Sequence, residues 1–181
     1  VRDLRDLNRN RAILVQQRAT VSNRIEKVLE DANIKLGTVA SHVLGQSGRA
    51  MLHAMSTGEE DADKLAEMAR AKLRNKIPEL RVALTGTVRD HHRFALKQWL
   101  LQLQAVEKQI AEFEVEIDRR NQPFQEAVER LMTIPGVDRI TACALVAEIG
   151  TNMAQFPTAQ HLASWAGVCP GNQESAGKRL S

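Results

Sequence analysis

The chain is 181 residues long, with 43% hydrophobic and 26% charged residues, so it can bury a core and falls outside the compositionally disordered class. A formal net charge of +3 and a pI near 9.1 suit an anionic partner without singling out nucleic acid. Aromatic residues are only 3% and Tyr is absent, while Ala, Leu, Arg, Gln and Glu dominate, which favours helix over strand and predicts an all-α chain. Cys143 and Cys169 have neither metal-ligand spacing nor the density of a disulfide scaffold, so reduced thiols and a cytoplasmic setting are expected. No stretch approaches the ~20 apolar residues of a membrane span, and no membrane partner is expected.

The first predicted element runs from about Val1 to Asp31. Leu4, Leu7, Leu14, Val21, Ile25 and Val28 alternate in steps of three and four, with Arg11 and Arg18 at the two remaining seam positions. Arg2, Arg5, Arg9, Arg11, Arg18 and Arg24 give this helix a basic side, diluted by Asp3, Asp6 and Glu26. That side suits a nucleic-acid backbone, but a salt-bridged face or a partner-helix contact suits it better. Shorter helical pieces follow, at Ser41–Leu44, Gly48–Ser56 and Ala62–Arg74, with Pro78 breaking the chain before another helical start. Glu59-Glu60-Asp61 is a charged loop placed favourably before a helix N-terminus. His91 and His92 are adjacent, so a helix would point them to different faces; a packed or solvated pair is the simpler reading than a metal site.

A second long helix is written by Leu96, Trp99, Leu103, Val106, Ile110, Phe113 and Ile117 in strict 3-4 steps. The expected architecture for residues 1–120 is therefore a long, antiparallel, coiled-coil-like helical hairpin closed by a small helical cap. Asn121-Gln122-Pro123 marks the boundary to a second domain, 121–181, whose first helix should start near Pro123. A second helix is expected over Arg139–Ile149, closed by Gly150, and a third near Ala159–Ala166 with Thr158 as N-cap.

Between the first two of these helices, Leu131-Met-Thr-Ile-Pro-Gly-Val-Asp138 reads as a helix-hairpin-helix. Its Pro135-Gly136-Val137 turn and Arg139 would present backbone amides and a cation to a phosphate. The usual second glycine of such a hairpin is Asp138 here, a side chain able to cap the following helix and compete for the same amides. A phosphate site and a purely structural turn are both open readings. Further on, Gly167, Pro170, Gly171 and Gly177 suggest a loop that carries Ser175 beside Lys178 and Arg179. A hydroxyl next to two cations has the makings of a nucleophile toward a phosphodiester, although a serine in such a loop is more commonly a turn residue.

The run Ile134-Pro-Gly-Val137, Ala147-Glu-Ile-Gly150, Phe156-Pro157, Leu162-Ala-Ser-Trp-Ala-Gly167, Pro170-Gly-Asn172 and Ser175-Ala-Gly-Lys178 resembles the C-terminal domain of DEDD-type insertion-sequence transposases, relatives of the Piv and MooV site-specific DNA invertases. Val1-Arg-Asp-Leu-Arg-Asp-Leu7, Leu29-Glu-Asp-Ala-Asn-Ile-Lys-Leu36 and Leu73-Arg-Asn-Lys-Ile-Pro78 are similar to the family's middle region. The resemblance implies bacterial transposition, with Ser175 attacking DNA. It also implies a RuvC-like metal domain upstream of Val1 that uses Mg²⁺; none of Asp3, Asp6 or Asp61 is assigned to it, and no cofactor is expected within the chain itself. Its implied partners are DNA at element ends and target, a structured guide RNA, and further copies of the chain through the coiled coil. On this reading the C-terminal domain is incomplete at Ser181 and residues 1–181 alone do not cleave DNA. A non-catalytic nucleic-acid-binding or oligomerisation module is the alternative.

Overall fold

The computed structural model describes residues 1–167 and, beyond them, the backbone of 174–175 and 178–179. Nine α-helices occur among these residues: α1 Arg2–Asp31, α2 Leu36–Val39, α3 Gln46–Ser56, α4 Ala62–Glu67, α5 Ile77–Ala83, α6 Asp90–Asn121, α7 Gln125–Met132, α8 Arg139–Ile149 and α9 Ala159–Trp165. Three 3₁₀ turns, at Ala71–Lys76, Gln122–Phe124 and Met153–Gln155, and two short strands, β1 Glu174–Ser175 and β2 Lys178–Arg179, complete them. The described residues are thus mainly helical, as expected, apart from this short ladder. Ser175, placed in a loop by its glycines, lies in an antiparallel ladder. The neighbouring loop positions Pro170, Gly171 and Gly177, and Cys169, lie outside the described residues.

Contacts divide the chain into two compact units, Leu7–Glu116 and Val1–Asp6 with Ile117–Ser181. In the first unit, α1 and α6 run antiparallel. Arg11 pairs with Glu114 at 2.5 Å, and thirteen residues further along α1 the Arg24 guanidinium lies over the Trp99 ring, 4.6 Å from its centroid. The α6 seam is buried at Leu96, Leu103, Val106 and Ile110, with Trp99 and Phe113 half-buried. The α1 seam is less regular than its spacing. Val21 and Ile25 are buried, Leu14 is half-buried, and Arg18 is exposed where a seam residue was expected. Arg11 stays within the seam because the Glu114 carboxylate accepts from both its Nε and Nη2.

The cap closes this unit. Val21, Ile25 and Leu29 of α1 and Leu96, Leu100 and Leu103 of α6 share one core with Met51, Leu52 and Met55 of α3, Leu65 of α4 and Leu80 of α5. At ~1.5–3 kcal/mol for each large apolar side chain removed from water, this burial is the main stabilising term. Several cap expectations change. Ser41–Leu44 is turn and bend, and the helical turn falls earlier, at Leu36–Val39. Ala62–Arg74 is not one helix: α4 stops at Glu67, Arg70 is extended, and Ala71, at the start of the 3₁₀ turn, has φ +47. The break is tertiary in origin, since the Arg70 N–H is given to Ser47 Oγ at 2.9 Å rather than to a helix carbonyl. Pro78 sits inside the first turn of α5, where its missing N–H costs nothing. Gly48 is dictated by the approach of α3 to the preceding turn, because a Cβ there would meet the Val43 carbonyl oxygen at 1.8 Å.

In the second unit, Leu4, Ile117, Val128, Ala142, Cys143, Val146 and Ala147 are buried, and α7 packs on α8. Asp3 pairs with Arg120 and Arg5 with Glu148, both at 3.0 Å, which fixes the first residues of the chain to this unit. Asn121, read as a boundary residue, is fully buried, and its Nδ2 donates to the Ile117 carbonyl at 3.1 Å. α6 therefore runs into this unit, and a 3₁₀ turn holding Pro123 intervenes before α7. No described helix is long and apolar enough to cross a membrane.

Candidate nucleic-acid interface

The connection between α7 and α8 spans 133–138. Gly136 takes φ +85, a conformation that an L side chain rarely adopts, so glycine is required where the chain reverses. The turn is closed by the Ile134 N–H on the Leu131 carbonyl and the Val137 N–H on the Ile134 carbonyl, both at 3.0 Å. Pro135 and Gly136 are exposed and Val137 is half-buried. Asp138 is the N-cap of α8, its Oδ1 accepting the Thr141 N–H at 2.8 Å. Of the first-turn amides that an α-helix leaves without an internal partner, that of Thr141 is therefore already taken, while those of Arg139 and Ile140 precede it.

Arg139 is not a free cation. Its Nε lies 3.0 Å from Asp118 Oδ1, and its two Nη atoms reach Gln125 Oε1 at 3.5 and 3.4 Å. The side chain thus ties α8 to the end of α6 and the start of α7. Behind it, burial pushes the Cys143 thiol above its ordinary pKa, with Arg139 opposing and Asp118 reinforcing that shift. Such a thiol is a packed apolar group rather than a nucleophile.

Gly150 closes α8 with φ +71, its N–H donating to the Val146 carbonyl at 2.9 Å. Thr158 occupies the N-cap of α9 but does not cap it through its side chain. The hydroxyl instead meets His161 Nδ1 at 2.8 Å. An edge-on contact between Phe156 and Trp165, with centroids 5.7 Å apart, holds α9 against the segment before it. Beyond α9, the β1–β2 register sets Ser175 opposite Lys178 and Glu174 opposite Arg179. Paired positions in such a ladder are about 5 Å apart at Cα. The proposed nucleophile and the first proposed cation are thus direct backbone partners.

The other features singled out in the sequence have structural roles. His92 is buried and accepts the Arg89 N–H on Nδ1 at 3.2 Å, while His91 is exposed. Asp61 caps α4, accepting from Asp63 and Lys64, and Glu60 pairs with Arg93. Of the basic side of α1, Arg5, Arg11 and Arg24 are engaged with Glu148, Glu114 and Trp99. Among the described residues no group of three or more His, Cys, Asp or Glu is placed to hold a metal, so they do not fit a Mg²⁺ site.

Two helices joined by an exposed turn are thus followed, beyond α9, by a serine–lysine ladder. Residues 128–181 match the family described as Transposase IS116/IS110/IS902. That match begins within α7 and takes in α8, α9 and the ladder, and it marks the C-terminal region as transposase-related in general. No curated protein and no solved structure matches the chain.

Proposed function

We propose that this chain is the middle and C-terminal part of an insertion-sequence transposase, with residues 121–181 its DNA-handling domain and Ser175 its nucleophile. The observation that carries the reading is the pairing of Ser175 with Lys178 inside the transposase-matched region. In the proposed step, Ser175 Oγ bonds to a DNA phosphorus as one P–O ester bond breaks, and the hydroxyl proton ends on the departing strand oxygen. One phosphodiester is exchanged for another, so no oxidant or external energy source is needed. Lys178 and Arg179 offset the charge that develops on the phosphoryl oxygens.

The strand is held by its backbone at the α8 N-terminus, through the Gly136 N–H and the first-turn amides of Arg139 and Ile140, while Pro135, which has no N–H, and Val137, whose N–H is given to the Ile134 carbonyl, shape the turn. Arg139 contributes to that grip only when it gives up Asp118, so its first role is to position the turn. The described residues offer no donor set for the Mg²⁺ that the family resemblance implies, and no step above passes through a metal. A structured RNA partner also belongs to this reading. Assembly with further copies is supported by Phe94, Leu101 and Val115, which are exposed one and then two heptads apart on α6, with Lys108 at the position between the last two.

The test is Ser175→Ala in the active transposase, supplied with DNA carrying the element's ends. Strand transfer should fall by at least about 10³-fold, with DNA affinity held within twofold. Transfer retained at the parental rate would leave the chain as a non-catalytic binding or oligomerisation module.

A further inference from the structure

We propose that the cleft between the α2–α3 connection and the 70–76 segment is a phosphate-binding site that holds the backbone of a nucleic-acid strand. It stands independently of the Ser175 reading, because its residues lie in the Leu7–Glu116 unit and outside 128–181. The cleft has a volume of about 640 Å³, and its lining includes Arg70, Lys72 and Lys76 on one wall and Gln46, Ser47 and Gly48 on the other, with no carboxylate anywhere in it.

The ion pairs of the cap sort its cations into two groups. Arg74 is matched by Glu67 at 3.2 Å, and Arg81 by Asp63 at 2.7 Å. Arg70, Lys72 and Lys76 have no carboxylate partner among the described residues, and Lys76 Nζ donates only to the Val39 carbonyl, at 3.3 Å. Three like charges within seven residues repel one another unless an anion lies among them. The backbone keeps them on the cleft. Ala71, between Arg70 and Lys72, is held at φ +47, which an L-residue adopts only at an energetic cost, and the Arg70 N–H is fixed to Ser47 Oγ at 2.9 Å. Ser47 accepts in that bond, so its own proton remains available to a phosphate oxygen.

The opposite wall adds to the positive field. The N-cap of α3 is Gly45, which supplies no side-chain acceptor for the first-turn amides. The helix is anchored from behind, where Arg49 meets both carboxylate oxygens of Glu107 at 2.8 and 2.5 Å and donates to the Leu44 carbonyl. Hydrogen bonding to Glu107 raises the pKa of Arg49 further, so this anchor keeps its charge. A single free phosphate would engage one or two of the cations; three on one wall of an open cleft suit successive phosphates of a strand.

The test combines amide NMR shifts with salt-dependent binding of the 181-residue chain to a short single-stranded oligonucleotide. The amides of Gln46, Ser47, Gly48 and Lys72 should shift and saturate with oligonucleotide at concentrations far below those needed with inorganic phosphate. Replacing Arg70, Lys72 and Lys76 by Gln should weaken oligonucleotide binding at least tenfold and lower the log–log salt slope by about 2, at ~0.7 per lost phosphate contact. Lys27→Gln, Lys97→Gln and Lys108→Gln together remove the same charge from exposed sites elsewhere and should change affinity less than threefold. An equal loss in both triple variants, silent amides at 46–48, or saturation by inorganic phosphate at the oligonucleotide's concentration would each overturn the proposal.

Discussion

Asp138 sits where two demands on the 133–138 connection meet. Its carboxylate completes the first turn of α8 by accepting the Thr141 N–H, and the same carboxylate lies beside the amides that would greet a phosphate. Replacing it should therefore have effects of opposite sign. Asp138→Ala is expected to cost about 1 kcal/mol of stability, read as a lower Tm, while tightening DNA binding severalfold because a negative charge leaves the interface. Unchanged affinity beside the lowered Tm would show that the turn is structural and meets no phosphate. The cap was legible in the sequence because an acid immediately before an apolar helix has a local cause. The engagement of Arg139 was not, since Asp118 lies on another helix and Gln125 sits fourteen residues before it. Thr158 shows the same limit, its hydroxyl being drawn to His161 instead of the helix amides.

Helices were legible where their burial pattern is strictly periodic. Along α6 the 3-4 spacing named Leu96, Leu103, Val106, Ile110 and Ile117, all of which are buried. In the cap the helix expected over Ala62–Arg74 stops at Glu67, and the Arg70 N–H finds Ser47 in another element. The cationic cleft is invisible for the same reason, as its two walls come from segments more than twenty residues apart. Two substitutions on neighbouring α6 positions separate the helix's inner and outer faces. Leu103→Ala, at a site with no exposure, is expected to cost about 2–5 kcal/mol and to lower Tm accordingly. Leu101→Lys, at a site 53% exposed, should leave Tm within about 2 °C and shift the chain toward monomer in sedimentation. A monomer–oligomer distribution unchanged by Leu101→Lys would remove the outer stripe as the assembly surface.

At the level of the whole molecule, the two proposals give each compact unit its own place for phosphate: the cleft at 39–76 and the α7–α8 turn with its serine–lysine ladder. They differ in chemistry. The cleft has cations and amides and can only hold, whereas the ladder adds a hydroxyl that can react. Family resemblance in the sequence pointed to Ser175 through the Ser-Ala-Gly-Lys order, while its Gly-rich surroundings concealed the strand register that makes Lys178 its partner. The account therefore rests on a covalent event at one oxygen. The most direct measurement is mass spectrometry of the active transposase, denatured during strand transfer and digested with protease and nuclease. The account predicts a nucleotide joined through phosphate to the peptide containing Ser175, absent in Ser175→Ala. Recombined product formed with no such adduct, or with the nucleotide on a different residue, would contradict it.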